Sequence, residues 1–185
     1  FKIKKVSEIP YKFISPSKFL MEQHRKMGFP VDRFEVVPNF VNLDNFTPNP
    51  KPGNYALYLG RLNPEKGLEV LIKAFKDLKY PLYIAGKGYL ENYVKEMCEK
   101  YTNIKYLGFL QGEDLRNIIA NSRFIIQPSL CYENAPLAVL EAFASSKPVI
   151  GSNIGGIPEL VTEDCGILFK TGNEDSLKES VSELR

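Results

Sequence analysis

From Tyr55 onward the chain alternates short, mostly apolar runs with stretches of helical periodicity, and this alternation restricts the fold more than any other feature. The runs expected as strands are Tyr55–Leu59, Leu82–Ala85, Ile104–Leu107, Phe124–Gln127, Val149–Gly151 and Gly166–Phe169. Between the first two, Leu68, Leu71, Ile72, Phe75 and Leu78 recur at helical spacing, which predicts a helix from Pro64 to about Leu78. Further helices are expected from about Tyr89 to Lys100, over Glu113–Asn121 and from Pro136 onward, with a short turn or helix at Pro158–Val161. Strands this apolar are buried on both faces, and helix-length connections make neighbouring strands parallel. Right-handed crossovers then give an α/β fold with a doubly wound, Rossmann-like parallel sheet. Ligands bind such sheets beyond the carboxyl ends of the strands.

Upstream, Lys12–Ser15 (KFIS) and Phe34–Val37 read as two more strands. The helix between them starts at Ser17 as N-cap and is ended by Gly28. Its Phe19, Leu20 and Met27 are expected to face inward and His24 and Arg25 to face solvent. The polar, Pro-rich run Asn42–Gly53 is expected as a linking segment. The chain opens on FKIKK without Met and closes on the amphipathic Asp175–Arg185 with no helix terminator, so it is expected to be part of a larger polypeptide.

Composition excludes several function classes. A net charge of +2, from 24 basic and 22 acidic residues, gives no global argument for nucleic acid. The 3 cysteines (Cys98, Cys131, Cys165) are odd in number and widely spaced, which argues against a disulfide framework or a zinc site. Reduced thiols and the absence of an apolar run long enough to span a bilayer lead to an expected cytoplasmic location, with the inner face of the membrane open as a peripheral one.

The residues suited to chemistry all fall after strands. Arg61 and Lys66, in GRLNPEKG, flank a helix start and suit a pyrophosphate, or are two solvated charges in a loop. Gly86-Lys87-Gly88 is a phosphate or base-approach loop, or a plain tight turn. Gly155-Gly156-Ile157-Pro158-Glu159 lets backbone N–H groups approach an anion or sugar, or is an ordinary loop. Glu133 and Glu141, eight residues apart, bracket the helix start at Pro136, whose buried stripe is expected to be Leu137, Leu140, Ala144 and Phe143. Glu133 either stabilises that helix N-terminus or serves a ligand. Glu141 lies among Leu140, Ala142, Phe143 and Ala144, where a lone carboxylate needs a partner; a ribose diol would serve. Cys131, with no accompanying His, reads as a packing residue.

Taken in order, G-R-L-x-P-E-K-G, E-x-x-P-x-x-x-x-E-A, K-P-V-I and G-G-I-P-E resemble the C-terminal half of glycosyltransferase family 4, retaining nucleotide-sugar-dependent enzymes of the GT-B fold. The resemblance implies that residues 1–185 are a donor-binding domain, one half of a GT-B fold, lacking an N-terminal acceptor domain and a final C-terminal helix. It implies a UDP- or GDP-sugar ahead of an ADP-sugar, no metal or other cofactor, and a glycan, lipid-linked or small-molecule acceptor. By the same resemblance, Arg61 and Lys66 hold the diphosphate, Glu133 meets the donor sugar, and these three form the catalytic set. Glu141 binds the ribose, and the backbone of Asn134, Ala135, Pro136 and Leu137 cradles sugar and phosphate. Gly60 accompanies Arg61, while Gly86, Lys87, Phe109 and Leu110 lie near the base. Three positions depart from the family pattern: Ser146 where Gly is common after the helix, Asn134-Ala135 after the first Glu, and Lys87 where an acidic residue is frequent. Two rival readings are a non-catalytic nucleotide-sugar sensor or scaffold, and a flavodoxin-like signalling domain. The latter expects a phosphoacceptor Asp after a strand, and no strand here ends in one.

Overall fold

The structure, a computed structural model, describes residues 11–185. Two strands, β1 (Phe13–Ser15) and β2 (Phe34–Val36), pair in parallel with each other, connected through helix α1 (Lys18–Lys26). They do not join the main sheet. That sheet follows the linking segment and contains β3 (Ala56–Leu59), β4 (Leu82–Ala85), β5 (Ile104–Tyr106), β6 (Phe124–Gln127), β7 (Val149–Ser152) and β8 (Gly166–Phe169). All five pairings are parallel, in the order β5-β4-β3-β6-β7-β8. The chain therefore winds outward from β3 through β4 to β5, returns to the centre, and winds the other way from β6. The doubly wound sheet expected from the alternation is present, with strand limits matching within a residue or two.

Alternation along each strand builds two cores. Ala56, Tyr58, Leu82, Ile84, Phe124 and Ile126 face a layer formed by α2 (Leu68–Asp77), α3 (Glu91–Lys100) and α7 (Glu174–Leu184). Leu57, Leu59, Ala85, Ile125 and Val149 face the opposite layer of α4 (Gly112–Asn121), α5 (Leu137–Ala144) and the short α6 (Ile157–Leu160). The helix expected from Pro64 to Leu78 is divided: a 3-10 turn at Pro64–Lys66 is followed by α2, with Gly67 between them in the left-handed region at φ 75°. A Cβ on Gly67 would lie 1.9 Å from the Pro128 carbonyl oxygen, so only glycine allows this approach.

Three expectations about facing are corrected: the buried stripe of α5, His24 outward and Met27 inward. In α5 the residues buried against the sheet are Val139 and Ala142, while Leu137 is 53% exposed. The segment LAVLEAFA is apolar nearly all round, so periodicity alone does not choose its inner face. In α1, His24 is not a solvent-facing residue: its ring packs edge-on against Phe29, with centroids 5.1 Å apart, and near Phe34 at 5.5 Å. Gly28, at φ 85°, turns the chain back so that Phe29 and β2 cover the last turn of α1, and Met27 is left exposed.

Helix α5 ends in paired bonds, Ser146 N–H to Phe143 O (2.9 Å) and Lys147 N–H to Ala142 O (2.9 Å). This places Ser146 at φ 55°, the one non-glycine residue with positive φ among the described residues. A side-chain-bearing residue is strained in this left-handed conformation, which glycine adopts without cost. Ser146→Gly is expected to raise unfolding free energy by about 1 kcal/mol in urea denaturation, since a left-handed side-chain-bearing residue costs about that much.

Candidate functional site

The reversal of winding places the carboxyl ends of β3 and β6 side by side, and a crevice opens beyond them. The loop after β3 is fastened to the loop after β4 by Leu62 N–H to Lys87 O (2.9 Å) and Leu90 N–H to Leu62 O (2.7 Å). Beneath it, the Tyr58 hydroxyl donates to Arg61 O (2.7 Å). Burial, and then the charge of nearby Glu133, push the Tyr58 phenol up, so it stays protonated as a donor. In this crevice lies a cavity of about 300 Å³. Gly60 and Arg61 form one wall, Gly86 and Lys87 the next, Phe109 and Leu110 a third, and Ala138 and Glu141 of α5 close it. The Lys87 ammonium sits 4.5 Å from the centroid of the Phe109 ring, a cation–π contact joining two of the walls.

Ala138 and Glu141, three residues apart, share one face of α5. Glu141 is partly buried, and no donor reaches its carboxylate among the described residues. Burial raises its pKa above the ordinary 4.5. Arg61 is exposed at the rim and forms no ion pair among the described residues. The cavity thus presents a cation, an unpartnered carboxylate and apolar walls, with Ala138 in the first turn of α5 at its edge.

Lys66 and Glu133, expected as separate grips on diphosphate and sugar, form a single ion pair beside this cavity. Lys66 Nζ lies 2.5 Å from Glu133 Oε1, and the two side chains are 13% and 14% exposed. The same oxygen accepts from Ser129 Oγ (2.7 Å) and, at 3.5 Å, from Gln127 Nε2. Leu130 N–H donates to Glu65 O (2.9 Å), holding the two loops together. Oε1 is therefore anchored three ways, while Oε2 accepts no hydrogen bond among the described residues. Sequence reasoning missed Ser129 and Gln127; their signal was two polar residues at the end of an otherwise apolar strand. Leu115 and Ala138 of the cavity wall were missed as well, being indistinguishable from core residues by type.

Asn134 and Ala135 do not face the first cavity. They line a second one of about 320 Å³, opposite Pro16, Ser17 and Lys18. Pro136 is the N-cap of α5 rather than its first helical residue. Of the two readings of the glycine pair, an approach to an anion or sugar and an ordinary loop, the contacts of Gly156 fit the second. Gly156 N–H donates to Glu133 O (2.6 Å), and a Cβ on Gly156 would lie 1.9 Å from Asn134 O.

Fold and crevice together define a doubly wound α/β domain with a charged, partly apolar crevice at its switch point. Residues 41–184 match the family model for glycosyl transferases group 1. The chain belongs to that family. It is 33% identical over 133 residues to the O-antigen chain mannosyltransferase B of Escherichia coli, covering 66% of this chain and 34% of the relative. To an uncharacterized glycosyltransferase of Methanocaldococcus jannaschii it is 30% identical over 156 residues, covering 83% and 44%. The chain thus spans less than half the length of these relatives. Among solved structures it is similar to Anabaena HepE in complex with UDP, with a TM-score of 0.86 at 20% identity, covering 98% of this chain and 56% of that one. Sucrose-phosphate synthase from Thermosynechococcus elongatus aligns with a TM-score of 0.77 at 22% identity, covering 92% and 48%. These neighbours have the GT-B fold, of which this chain carries one half. Among the described residues no helix is long and apolar enough to cross a membrane.

Lys66→Met would strand the Glu133 carboxylate in its sheltered position and is expected to cost about 3 kcal/mol of stability. Adding Glu133→Gln should recover part of that loss, and a double-mutant cycle by urea denaturation checks the coupling.

Proposed function

We propose that this chain holds the nucleotide-sugar donor of a retaining family 4 glycosyltransferase, and that a separate acceptor domain is needed for transfer. The observation that carries the reading is Glu141: a partly buried carboxylate without a donor, facing the same cavity as Arg61 and Lys87. A ribose diol supplies the two missing donors, and a base fits between the apolar wall at Phe109–Leu110 and the loop at Gly86. The diphosphate then lies toward Arg61, Lys66 and the N-terminus of α5, where the charge that develops on the leaving group meets preorganised cations and N–H groups. On this reading the positive groups do the neutralising and no metal is required. Glu133 Oε2 faces the sugar, a hexose, and the acceptor is a glycan, a lipid or a small molecule. Support for a nucleotide donor comes from relatives: HepE has been solved with UDP and with UDP-glucose, and a Corynebacterium glutamicum relative is named as a GDP-mannose-dependent mannosyltransferase. A cytoplasmic location, at the membrane surface for a lipid acceptor, belongs to the same proposal.

Calorimetric titration of the 185-residue chain with UDP-, GDP- and ADP-sugars tests the reading. UDP- or GDP-sugar binding, weakened at least tenfold by Glu141→Ala or Arg61→Ala, is expected; failure of every nucleotide to bind overturns it. Turnover by this chain alone would overturn the need for an acceptor domain.

The titration of Glu141 adds a pH signature. Ribose hydroxyls donate to the ionised carboxylate, so UDP affinity should fall on acidification, beginning above the usual carboxylate range, and Glu141→Gln should flatten the profile. Stability of the free chain carries the opposite sign. A folded-state pKa raised by burial means that the stabilising contribution is present at low pH and is lost as pH rises through that pKa. At neutral pH Glu141→Gln is therefore expected to raise the melting temperature while weakening UDP.

A further inference from the structure

Helix α1 has no acidic residue in its first turn. Ser17 Oγ accepts the Leu20 N–H (3.1 Å), which leaves the Lys18 and Phe19 N–H groups to be satisfied from elsewhere. One carboxylate takes both. Glu159 Oε2 accepts from Lys18 N–H at 2.8 Å, and Oε1 accepts from Phe19 N–H. Charge-assisted bonds at the positive end of a helix are among the stronger ones available to a surface carboxylate. Glu159 lies in α6, 141 residues further along the chain, directly after the Gly155-Gly156 loop.

Two further contacts cross the same boundary. The Phe19 ring packs edge-on against Tyr132 with centroids 4.9 Å apart, and Asn39 Nδ2 donates to Ala135 O (2.9 Å). Tyr132 and Ala135 bracket Glu133. Meanwhile α1 has no fully buried residue, so apolar packing does little to hold it, and a cavity of about 320 Å³ remains between Ser17 and Lys18 on one side and Asn134 and Glu159 on the other. Among the described residues, these directional contacts from the β1-α1-β2 unit and the segment after it reach α6 and the loop that carries Glu133.

The geometry points to Glu159 as a positioning residue: its carboxylate latches the N-terminus of α1 to the Gly155–Gly156 loop, so that the placement of Glu133 depends on where the β1-α1-β2 unit sits. Transmission runs through Gly156, whose N–H holds the Glu133 carbonyl, and through the Tyr132 and Ala135 contacts on either side of that residue. Movement of the unit would carry the loop with it and leave the 300 Å³ cavity, which Glu159 does not line, unchanged. The consequence for the sugar rests on the proposed donor site; the coupling itself does not.

Amide hydrogen exchange on the whole 185-residue chain, read residue by residue, tests the latch from both sides. Glu159→Ala should speed exchange at Lys18 and Phe19 at least tenfold and also at Leu130 in the Glu133 loop, with Glu159→Gln intermediate and the amides of β3 and β6 unchanged. The paired change Phe19→Ala and Asn39→Ala leaves α6 untouched and should speed exchange at Gly156. UDP affinity should stay within twofold in both variants. Faster exchange confined to Lys18 and Phe19 would reduce Glu159 to a simple cap and overturn the coupling, as would an unchanged Gly156 in the paired variant. If UDP fails to bind even the unaltered chain, the donor reading falls while the exchange data still decide the latch.

Discussion

The parallel pairing of β3 with β6 is the constraint on which the rest of this molecule depends. It brings together two strands separated by two complete strand-and-helix excursions, and it turns the winding of the chain around at their junction. Both strands are buried on each face, so their polar ends can emerge only at the carboxyl edge, where no further strand covers them. Arg61 arrives there from one strand, and Gln127, Ser129 and Glu133 arrive from the other. The Lys66–Glu133 pair crosses this junction, and Gly67 against the Pro128 carbonyl sets how closely its two sides approach.

Most of this architecture is legible from residue types alone, because strands buried on both faces leave a signal that few other structures imitate. Leu82–Ala85, Phe124–Gln127 and Gly166–Phe169 occupy the residues expected of them. What the pattern does not specify is orientation within an element that is apolar on every side. In α5 nothing in LAVLEAFA distinguishes Val139 from Leu140, and the sheet makes that choice. The division at Gly67 is hidden for a related reason: the residue that requires it, Pro128, lies 61 positions away.

The site divides in the same way. Positions that face the cavity, such as Arg61 and Lys87 from loops and Glu141 from α5, stand out as charges in an apolar context. The partnership of Lys66 with Glu133, the help of Ser129, and the use of Glu159 at another helix are contacts between distant parts of the chain, and no spacing rule encodes them. The glycine pair at 155–156 shows the ambiguity most plainly. Its composition suits approach to a phosphate and approach to a peptide equally well, and here the close neighbour is the peptide.

That contact bears on how such a protein could be redesigned. The side chains at Asn134 and Ala135 can in principle be exchanged. The route of their backbone cannot follow, because Gly156 already occupies the space against the Asn134 carbonyl and grips the carbonyl before it. Any remodelling of that segment by insertion or deletion would have to be matched in the loop after β7. The two loops, distant in sequence, therefore constitute one unit of variation.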